Sequence, residues 1–184
     1  MRVRAFGVFV ILLALLSASS RTVVWSKESG GGEAARANAT STVSPVAVQT
    51  RDVAIIVSPK NSMSDISFDV LRKYFKAERG QWPNGAKVVV AMLQPPGQSE
   101  RNVILRSIYG WDENYYQKYF RQGQFNESIQ QPPKELNTTY LMMRYVQFVE
   151  GAIGYVRADQ VDSSKVKVLS VDGRRPGDAG YRIK

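Results

Sequence analysis

The apolar residues of this chain fall into two patterns that take turns along the sequence. The first of them predicts β-strands. Short apolar runs lie at residues 53–57, 87–93, 152–156 and 166–171. The first three are almost continuously apolar, as in strands buried on both faces of a sheet, whereas the last alternates apolar and polar residues. Four strands are therefore expected, three of them in the interior.

The second pattern is a stripe of apolar residues at helical spacing, which recurs between the strands. It predicts one helix over residues 66–75, one over 99–109, one beginning at Asp112, and one ending at Gly151. Residues 122–134 are polar and rich in glutamine and proline, and no conformation is predicted for them. The residues suited to cap these helices are Asp65 or Ser67, Ser99, Asp112, and Asn137 or Thr138.

Strands separated by helices indicate an α/β domain with a mainly parallel or mixed sheet covered on both faces. The expected domain spans residues 51–173. Residues 21–50 are rich in Gly, Ser, Ala and Thr and are expected to form a flexible tether. Residues 174–184 are expected to form a basic C-terminal tail.

The N-terminal residues 1–20 are typical of a secretory signal peptide. Arg2 and Arg4 precede an apolar run at residues 5–16, and small residues follow it. A membrane anchor is the alternative, but the run is shorter than the ~20 residues that a spanning helix needs. Cleavage near Ser19 or Ser20 is expected, which would leave no membrane span and a periplasmic or secreted bacterial protein.

Composition narrows the possible chemistry. The chain has 184 residues, a net charge of +9, and neither His nor Cys. It therefore lacks the common metal ligands, neutral-pH bases and sulfur nucleophiles, and we expect a non-enzyme with no cofactor and no metal. The positive charge favours anionic partners, although nucleic acid is not an expected partner for an exported protein.

Several motifs occur in an order that resembles phosphate ABC transporter substrate-binding proteins. They are a strand at residues 54–57, a helix at 66–75, Trp82-Pro-Asn-Gly85, a strand at 88–91, and Gly151-Ala-Ile-Gly-Tyr-Val156. The resemblance covers residues 53–173 and fits a short, single-domain relative. It implies a type II periplasmic-binding-protein-like fold, reduced to essentially one lobe with a mixed sheet flanked by helices.

The resemblance also implies a phosphate site, which family members build from backbone N–H groups and hydroxyls at helix N-termini. This chain departs from the family twice. The Gly-rich loop near the mature N-terminus has no counterpart, and residues 94–101 replace an Arg, an Asp and a Gly-Ser-Gly-Thr sequence, with only Gly97 matched plainly. Glu100 at the helix start would repel a phosphate placed on the same N–H groups.

The loop that contains Gly97 is nevertheless the candidate for a small-anion site, because glycine allows close approach, Ser99 has a hydroxyl and Arg101 a forked cation. An ordinary helix cap is the alternative. Residues after the first strand could line the same edge of the sheet, although turn formation explains them equally well. The predicted ligand-binding residues are Gly97, Gln98, Ser99, Arg101, Ser58 and Asn61.

Other notable residues have structural explanations. Tyr155 is expected to pack in the core, and Arg144 lies off the apolar stripe of its helix and is expected to be solvated. The aromatic residues between 115 and 120 alternate with basic ones, as in some nucleic-acid-binding surfaces, but their helical spacing favours a core stripe.

We therefore expect an exported solute-binding-like protein that binds phosphate or a related small anion, in connection with ABC-type phosphate uptake. Its expected partners are the anion and an ABC permease or another envelope protein. The alternative is an interaction module that keeps the fold, binds no solute, and contacts a partner protein or an envelope surface.

Overall fold

The computed structural model of this protein describes residues 51–95 and 99–184. The expected signal peptide and tether lie outside these residues, as do the predicted site residues Gly97 and Gln98. The described residues belong to one compact unit. In that part of the chain, no helix combines the length and the apolarity needed to cross a bilayer.

The predicted interior strands and helices are all observed, but two short strands, at residues 65–66 and 134–136, were not predicted, and residue 66 lies in a strand rather than in the first predicted helix. The strands are β1 Val53–Val57, β2 Asp65–Ile66, β3 Val89–Leu93, β4 Lys134–Leu136, β5 Ala152–Arg157, β6 Lys167–Val168 and β7 Ser170–Val171. The helices are α1 Phe68–Phe75, α2 Ser99–Ile104 with a π-helical continuation Leu105–Tyr109, α3 Glu113–Phe125, α4 Thr139–Phe148 and a 3₁₀ turn Ala158–Gln160.

Three of the predicted helix caps are observed as side-chain hydrogen bonds. The Ser67 hydroxyl accepts from the Val70 N–H at 3.4 Å, and the Asp112 carboxylate accepts from Tyr115 at 2.7 Å. The third cap is Thr138, whose hydroxyl accepts from the Leu141 N–H. These bonds satisfy first-turn N–H groups that have no partner inside the helix, which explains where α1, α3 and α4 begin.

The main sheet is mixed, as expected, and has the strand order β4-β3-β5-β1-β6. Strand β3 runs parallel to β4 and β5, whereas β1 runs antiparallel to β5 and β6. Strands β2 and β7 form a separate parallel pair. The direction of β1 determines which loops meet at each end of the sheet.

Helices cover both faces of the sheet, and β5 shows how. Gly154 faces α4, because a Cβ built there would lie 2.5 Å from the Met142 sulfur. The next residue, Tyr155, points to the opposite face, where Arg101 of α2 lies close enough to interact with it electrostatically. The absence of a side chain at Gly154 therefore allows α4 to approach the sheet.

Gly151 was predicted to end a helix, but it has a different role. Helix α4 ends at Phe148, and Gly151 does not adopt the left-handed conformation typical of a glycine cap. A Cβ at Gly151 would lie 1.9 Å from the backbone oxygen of Lys87. Glycine is required because the two chain segments that lead into β3 and β5 touch at this point.

The predicted final strand is two short strands rather than one. Residues 167–168 pair with β1, and residues 170–171 pair with β2 in the second sheet. Leu169 joins them and donates its N–H to the Ile55 oxygen. The alternating pattern identified the extended chain, but it could not show that the chain passes from one sheet to the other.

The C-terminal residues also differ from the expected tail, because Tyr181 and Ile183 are buried. The Tyr181 hydroxyl donates to the Val53 oxygen at 2.8 Å, and the Val53 N–H donates to the Ile183 oxygen at 3.0 Å. Residues 181–183 therefore complete the edge of β1 and belong to the domain.

Two aromatic or apolar positions expected in the core are at the surface. Tyr116 and Phe120 are buried as predicted, but Tyr115 is 53% exposed. On α4, Met142 and Val146 are buried, whereas Leu141 is 42% exposed. Each helix buries a narrower stripe than its apolar residues suggested.

Candidate anion-binding site

The strand directions bring three chain segments together at one end of the sheet. Strands β3 and β5 are parallel, so their carboxyl ends lie at the same end. Strand β1 is antiparallel to β5, with Val53 opposite Arg157, so the start of β1 lies there too. Helix α2 begins at this end, after the loop that follows β3.

A cleft of about 720 Å³ opens at this end of the sheet, and we call it the sheet-end cleft. Its cationic lining residues are Arg51, Arg106, Arg157 and Lys184. Two carboxylates, Glu100 and Asp159, and two polar side chains, Ser99 and Asn102, also line it. The cations outnumber the carboxylates, which makes the cleft a more favourable place for an anion than for a cation.

The four cations differ in whether they already have an anionic partner. Arg157 is engaged: its Nε donates to an Asp159 oxygen at 3.0 Å and lies 4.0 Å from a Glu100 oxygen. The hydrogen bond from Arg157 lowers the pKa of Asp159 and favours its ionised form. Within the described ranges, Arg51, Arg106 and Lys184 form no ion pair, so their charges are available to a ligand.

The start of α2 combines one favourable and one unfavourable group for an anion. Ser99 is the first residue of the helix and is exposed in the cleft. Glu100 follows it and is only 7% exposed. Its carboxylate complements the positive end of the helix and the nearby Arg157, and it would repel an anion brought close to the same helix end.

Arg101 does not face the cleft, although sequence reasoning included it among the ligand-binding residues. The residue is 1% exposed, and its guanidinium makes two hydrogen bonds of 2.8 Å to the Glu113 carboxylate. It also lies 3.6 Å from Glu135, stacks 4.7 Å from the centre of the Tyr116 ring, and donates to the Leu93 oxygen. All of these contacts hold the cation inside the domain.

The electrostatics of this buried group are consistent with a stable ion pair. Burial alone would lower the pKa of Arg101, but the hydrogen bond to Glu113 and the electrostatic interactions with Tyr116, Glu113 and Tyr155 together outweigh burial, so the pKa is raised. The same hydrogen bond lowers the pKa of Glu113. Both groups therefore remain charged at neutral pH.

Tyr155 lies beside the buried Arg101, and its predicted location in the core is confirmed. Its hydroxyl accepts from the buried Leu93 N–H at 3.0 Å, while Arg101 donates to the Leu93 oxygen. Burial raises the pKa of Tyr155, so the hydroxyl stays neutral. Side chains thus satisfy both backbone groups of the last residue of β3, which fixes the point where the loop to α2 begins.

Ser58 and Asn61 lie at the opposite end of the sheet from Ser99. They follow Val57, which pairs with Ile153 near the start of β5, so the prediction that they share an edge with α2 is wrong. Their side chains accept hydrogen bonds from the nearby N–H groups of Lys60 and Met63 and stabilise a turn. The error arose because the sequence does not show that β1 runs antiparallel to its neighbours.

Sequence reasoning did not identify the partners that hold Arg101 or the cations of the cleft. Glu113 follows a helix cap, and Glu135 lies just beyond a segment with no predicted conformation. Arg51 and Lys184 lie at the two ends of the described chain and meet only through the fold. No group of three or more potential metal-ligating side chains occurs in the described residues.

Comparison with solved structures identifies the fold. An ABC-type phosphate transport receptor from Vibrio cholerae superposes with a TM-score of 0.57 at 14% identity, over 72% of this chain and 53% of that chain. The fold is one lobe of a periplasmic-binding-protein fold. No protein-family model matches the sequence, and no curated protein matches it.

Two further structures give the same result. A protein described as a phosphate ABC transporter substrate-binding protein with bound phosphate, from Clostridium perfringens, has a TM-score of 0.54, 20% identity, and coverage of 68% of this chain and 46% of its own. PstS from Borrelia burgdorferi has a TM-score of 0.53, 16% identity, and coverage of 72% and 53%. The resemblance inferred from the sequence is confirmed for the fold, and this chain spans about half the length of these proteins.

Proposed function

We propose that this protein is an exported, non-catalytic solute-binding-like protein that binds phosphate or a related small anion in the sheet-end cleft. The ligand would be held by Arg51, Arg106 and Lys184, with the Ser99 hydroxyl at the start of α2 as a hydrogen-bond donor. Its place would be in ABC-type phosphate uptake, with a permease as the partner that receives the anion.

The observation that carries this proposal is a group of three cations in one cleft that have no ion-pair partner among the described residues. Each of them can interact with a ligand at little cost, because no ion pair within the described part of the chain has to be broken. The cleft remains open, so bound anion stays partly hydrated, and we expect a dissociation constant on the order of 0.1–1 mM. A second lobe or a partner that closed over the cleft would strengthen binding.

The alternative function is an interaction module that binds no solute. It is favoured by the Glu100 carboxylate at the start of α2 and by the engagement of Arg101 inside the domain, which together remove two features of a helix-end anion site. In this case the basic cleft would contact an acidic surface of a partner protein or envelope component.

Isothermal titration with phosphate, and then with sulfate, at low and moderate salt tests the proposal. The protein should begin at residue 21, the expected mature form, which keeps every core residue of the described part of the chain, all of them between residues 53 and 183. The double variant Arg106→Gln/Lys184→Gln should weaken phosphate binding about tenfold, because two cations are lost from the cleft. Ser99→Asp should abolish binding, because it places a second carboxylate at the helix start.

A matched control is Lys73→Gln/Lys118→Gln, which removes the same charge from exposed positions outside the cleft. This variant should bind phosphate as tightly as the parent protein. Equal weakening in both double variants would show general screening rather than a site. The absence of saturable binding by any anion would favour the interaction module.

A further inference from the structure

The outward face of α4 carries an unusual cluster of exposed apolar side chains. Tyr140 is 59% exposed, Leu141 42% and Phe148 70%. They are three of the five large hydrophobic side chains that are exposed in the described part of the chain. Because residues 140, 144 and 148 are one turn apart, they form a continuous row along the helix. We call Tyr140, Leu141, Arg144 and Phe148 the α4 row.

Arg144 joins the aromatic members of this row. Its guanidinium lies 5.9 Å from the centre of the Tyr140 ring and 5.6 Å from that of Phe148, so it stands between the two. Helix α4 contains no acidic residue. Lys165 lies close enough to Tyr140 to interact with it, although Lys165 is itself paired with Asp162. The row therefore combines apolar side chains with a cation that forms no ion pair with any described residue.

The other long helix presents a different outward face. Most of the exposed residues of α3 are polar or charged. Its two exposed large hydrophobic side chains, Tyr115 and Phe125, lie near opposite ends of the helix. Exposed hydrophobic residues that occur singly need no explanation, whereas a continuous row on one helix is typical of a surface that contacts another apolar phase.

The size of the α4 row argues against a stable protein interface. An aromatic side chain offers about 150–250 Å² for burial, so the exposed parts of Tyr140, Leu141 and Phe148 together amount to roughly 300–400 Å². A stable interface needs about 800 Å² from each partner. A dimer built on this row alone would fall well short of that area, and it would also bring two Arg144 side chains together.

The chemistry of the row instead suits a lipid surface with negative headgroups. Aromatic and leucine side chains partition into the boundary between headgroups and acyl chains, and an arginine beside them can pair with lipid phosphates. From residue 21 onward, without Arg2 and Arg4, the net charge is +7 (9 − 2), which adds a long-range attraction to an anionic membrane. We propose that the α4 row seats this protein on an anionic lipid surface, with Tyr140, Leu141 and Phe148 entering the headgroup region.

Vesicle flotation tests this proposal with the protein from residue 21 onward, because the apolar residues 5–16 could bind vesicles by themselves. Binding should be weak to phosphatidylcholine vesicles and clearly stronger when about a third of the lipid is phosphatidylglycerol. Phe148→Ser should lower the apparent partition coefficient about fivefold or more on either lipid. Arg144→Gln should lower it about fivefold on anionic vesicles only.

The matched controls lie on α3. Phe125→Ser removes a phenylalanine that is 92% exposed, and Arg121→Gln removes an exposed arginine. Phe125→Ser should leave partitioning unchanged, and Arg121→Gln should reduce it much less than Arg144→Gln. As an independent readout, tryptophan fluorescence of Phe148→Trp should shift to the blue on anionic vesicles, whereas that of Phe125→Trp should not.

Several results would overturn the proposal. The first is no binding to anionic vesicles, and the second is binding that Phe148→Ser leaves unchanged, which would mean that charge alone attracts the protein. Self-association that Phe148→Ser removes, in the absence of lipid, would assign the row to a second copy of the chain. Added inorganic phosphate, at a concentration that saturates the sheet-end cleft, should leave lipid binding unchanged; competition would place the lipid headgroup in that cleft.

Discussion

The interior of this domain and its sheet-end cleft use similar residues in opposite ways. In the described interior, every fully buried side-chain nitrogen or oxygen has a hydrogen-bond partner, including the guanidinium of Arg101. In the cleft, five residues further along the same helical segment, Arg106 has no ion-pair partner among the described residues and is available to a ligand. Two arginines that look equivalent in the sequence therefore have different roles, one in the interior and one in the cleft.

This difference separates stability from binding. Substitutions in the interior remove contacts that the fold needs, so they should lower the free energy of unfolding. Substitutions in the cleft remove charges that contribute little to folding, so they should leave stability within about 0.5 kcal/mol of the parent protein.

The largest effect is expected for Gly151→Ala. The new Cβ would lie 1.9 Å from the Lys87 oxygen, so the segments leading into β3 and β5 would have to separate. The Gly151 oxygen also accepts hydrogen bonds from the Val89 N–H and the Trp82 indole, and both would be strained. The free energy of unfolding, measured with urea, should fall by about 3 kcal/mol or more.

Gly80→Ala is the matched control for this change. Gly80 is exposed, and a Cβ built there meets no atom within 4 Å. Its free energy of unfolding should stay within about 0.5 kcal/mol of the parent value. A similar loss in both variants would mean that backbone flexibility, and not close approach, explains the cost at Gly151.

The second-largest loss of stability is expected for Arg101→Met. Its loss leaves the Leu93 oxygen without a donor and removes both hydrogen bonds to Glu113. The carboxylates of Glu113 and Glu135 are each 35% exposed and can regain water, so the cost should be about 2 kcal/mol rather than that of a fully buried charge.

Arg106→Met is the control from the same helical segment. It should change the urea midpoint little and weaken phosphate binding instead. If Arg106→Met destabilised the protein as much as Arg101→Met, the distinction between the interior and the cleft would fail for these arginines.

The sequence predicted the elements of the fold well but not their directions. Apolar runs and caps such as Ser67 and Thr138 located strands and helices, because both depend on local chemistry. The antiparallel course of β1 depends on the whole chain, which is why Ser58 and Asn61 were assigned to the wrong end of the sheet.

The same limit applies to the candidate site. An arginine two residues after a helix start can face either side of the helix, and only the tertiary partners Glu113 and Glu135 decide that Arg101 faces inward. The cleft joins Arg51 to Lys184 across almost the whole described chain. No local pattern could have brought those two residues together.

A smaller loss is expected for Tyr155→Phe, which removes one oxygen and little volume. The Leu93 N–H would lose the acceptor that it now has at 3.0 Å, in a position where water has no access. The free energy of unfolding should fall by about 1–2 kcal/mol, the cost of an unsatisfied buried donor. Phosphate affinity should change little, because the hydroxyl lies outside the cleft. An unchanged urea midpoint would show that Leu93 finds another acceptor.

The smallest effect concerns the pH dependence contributed by Glu113. Its hydrogen bond from Arg101 lowers its pKa below the ordinary value of 4.5, so the folded protein binds this proton less readily than the unfolded chain. The resulting stabilisation is present above the ordinary value and is lost as the pH falls through the lowered one. Glu113→Gln should therefore be less stable than the parent at neutral pH, and the gap should narrow in acid.

Urea unfolding between about pH 7 and pH 3 measures this gap. Arg101→Met provides the internal control, because without the arginine the main cause of the shift is gone. The double variant Arg101→Met/Glu113→Gln should then follow the same pH dependence as Arg101→Met alone. If Glu113→Gln changed the acid slope equally in both backgrounds, the carboxylate would owe its shift to something other than Arg101, and the buried ion pair would contribute less to the interior than its geometry implies.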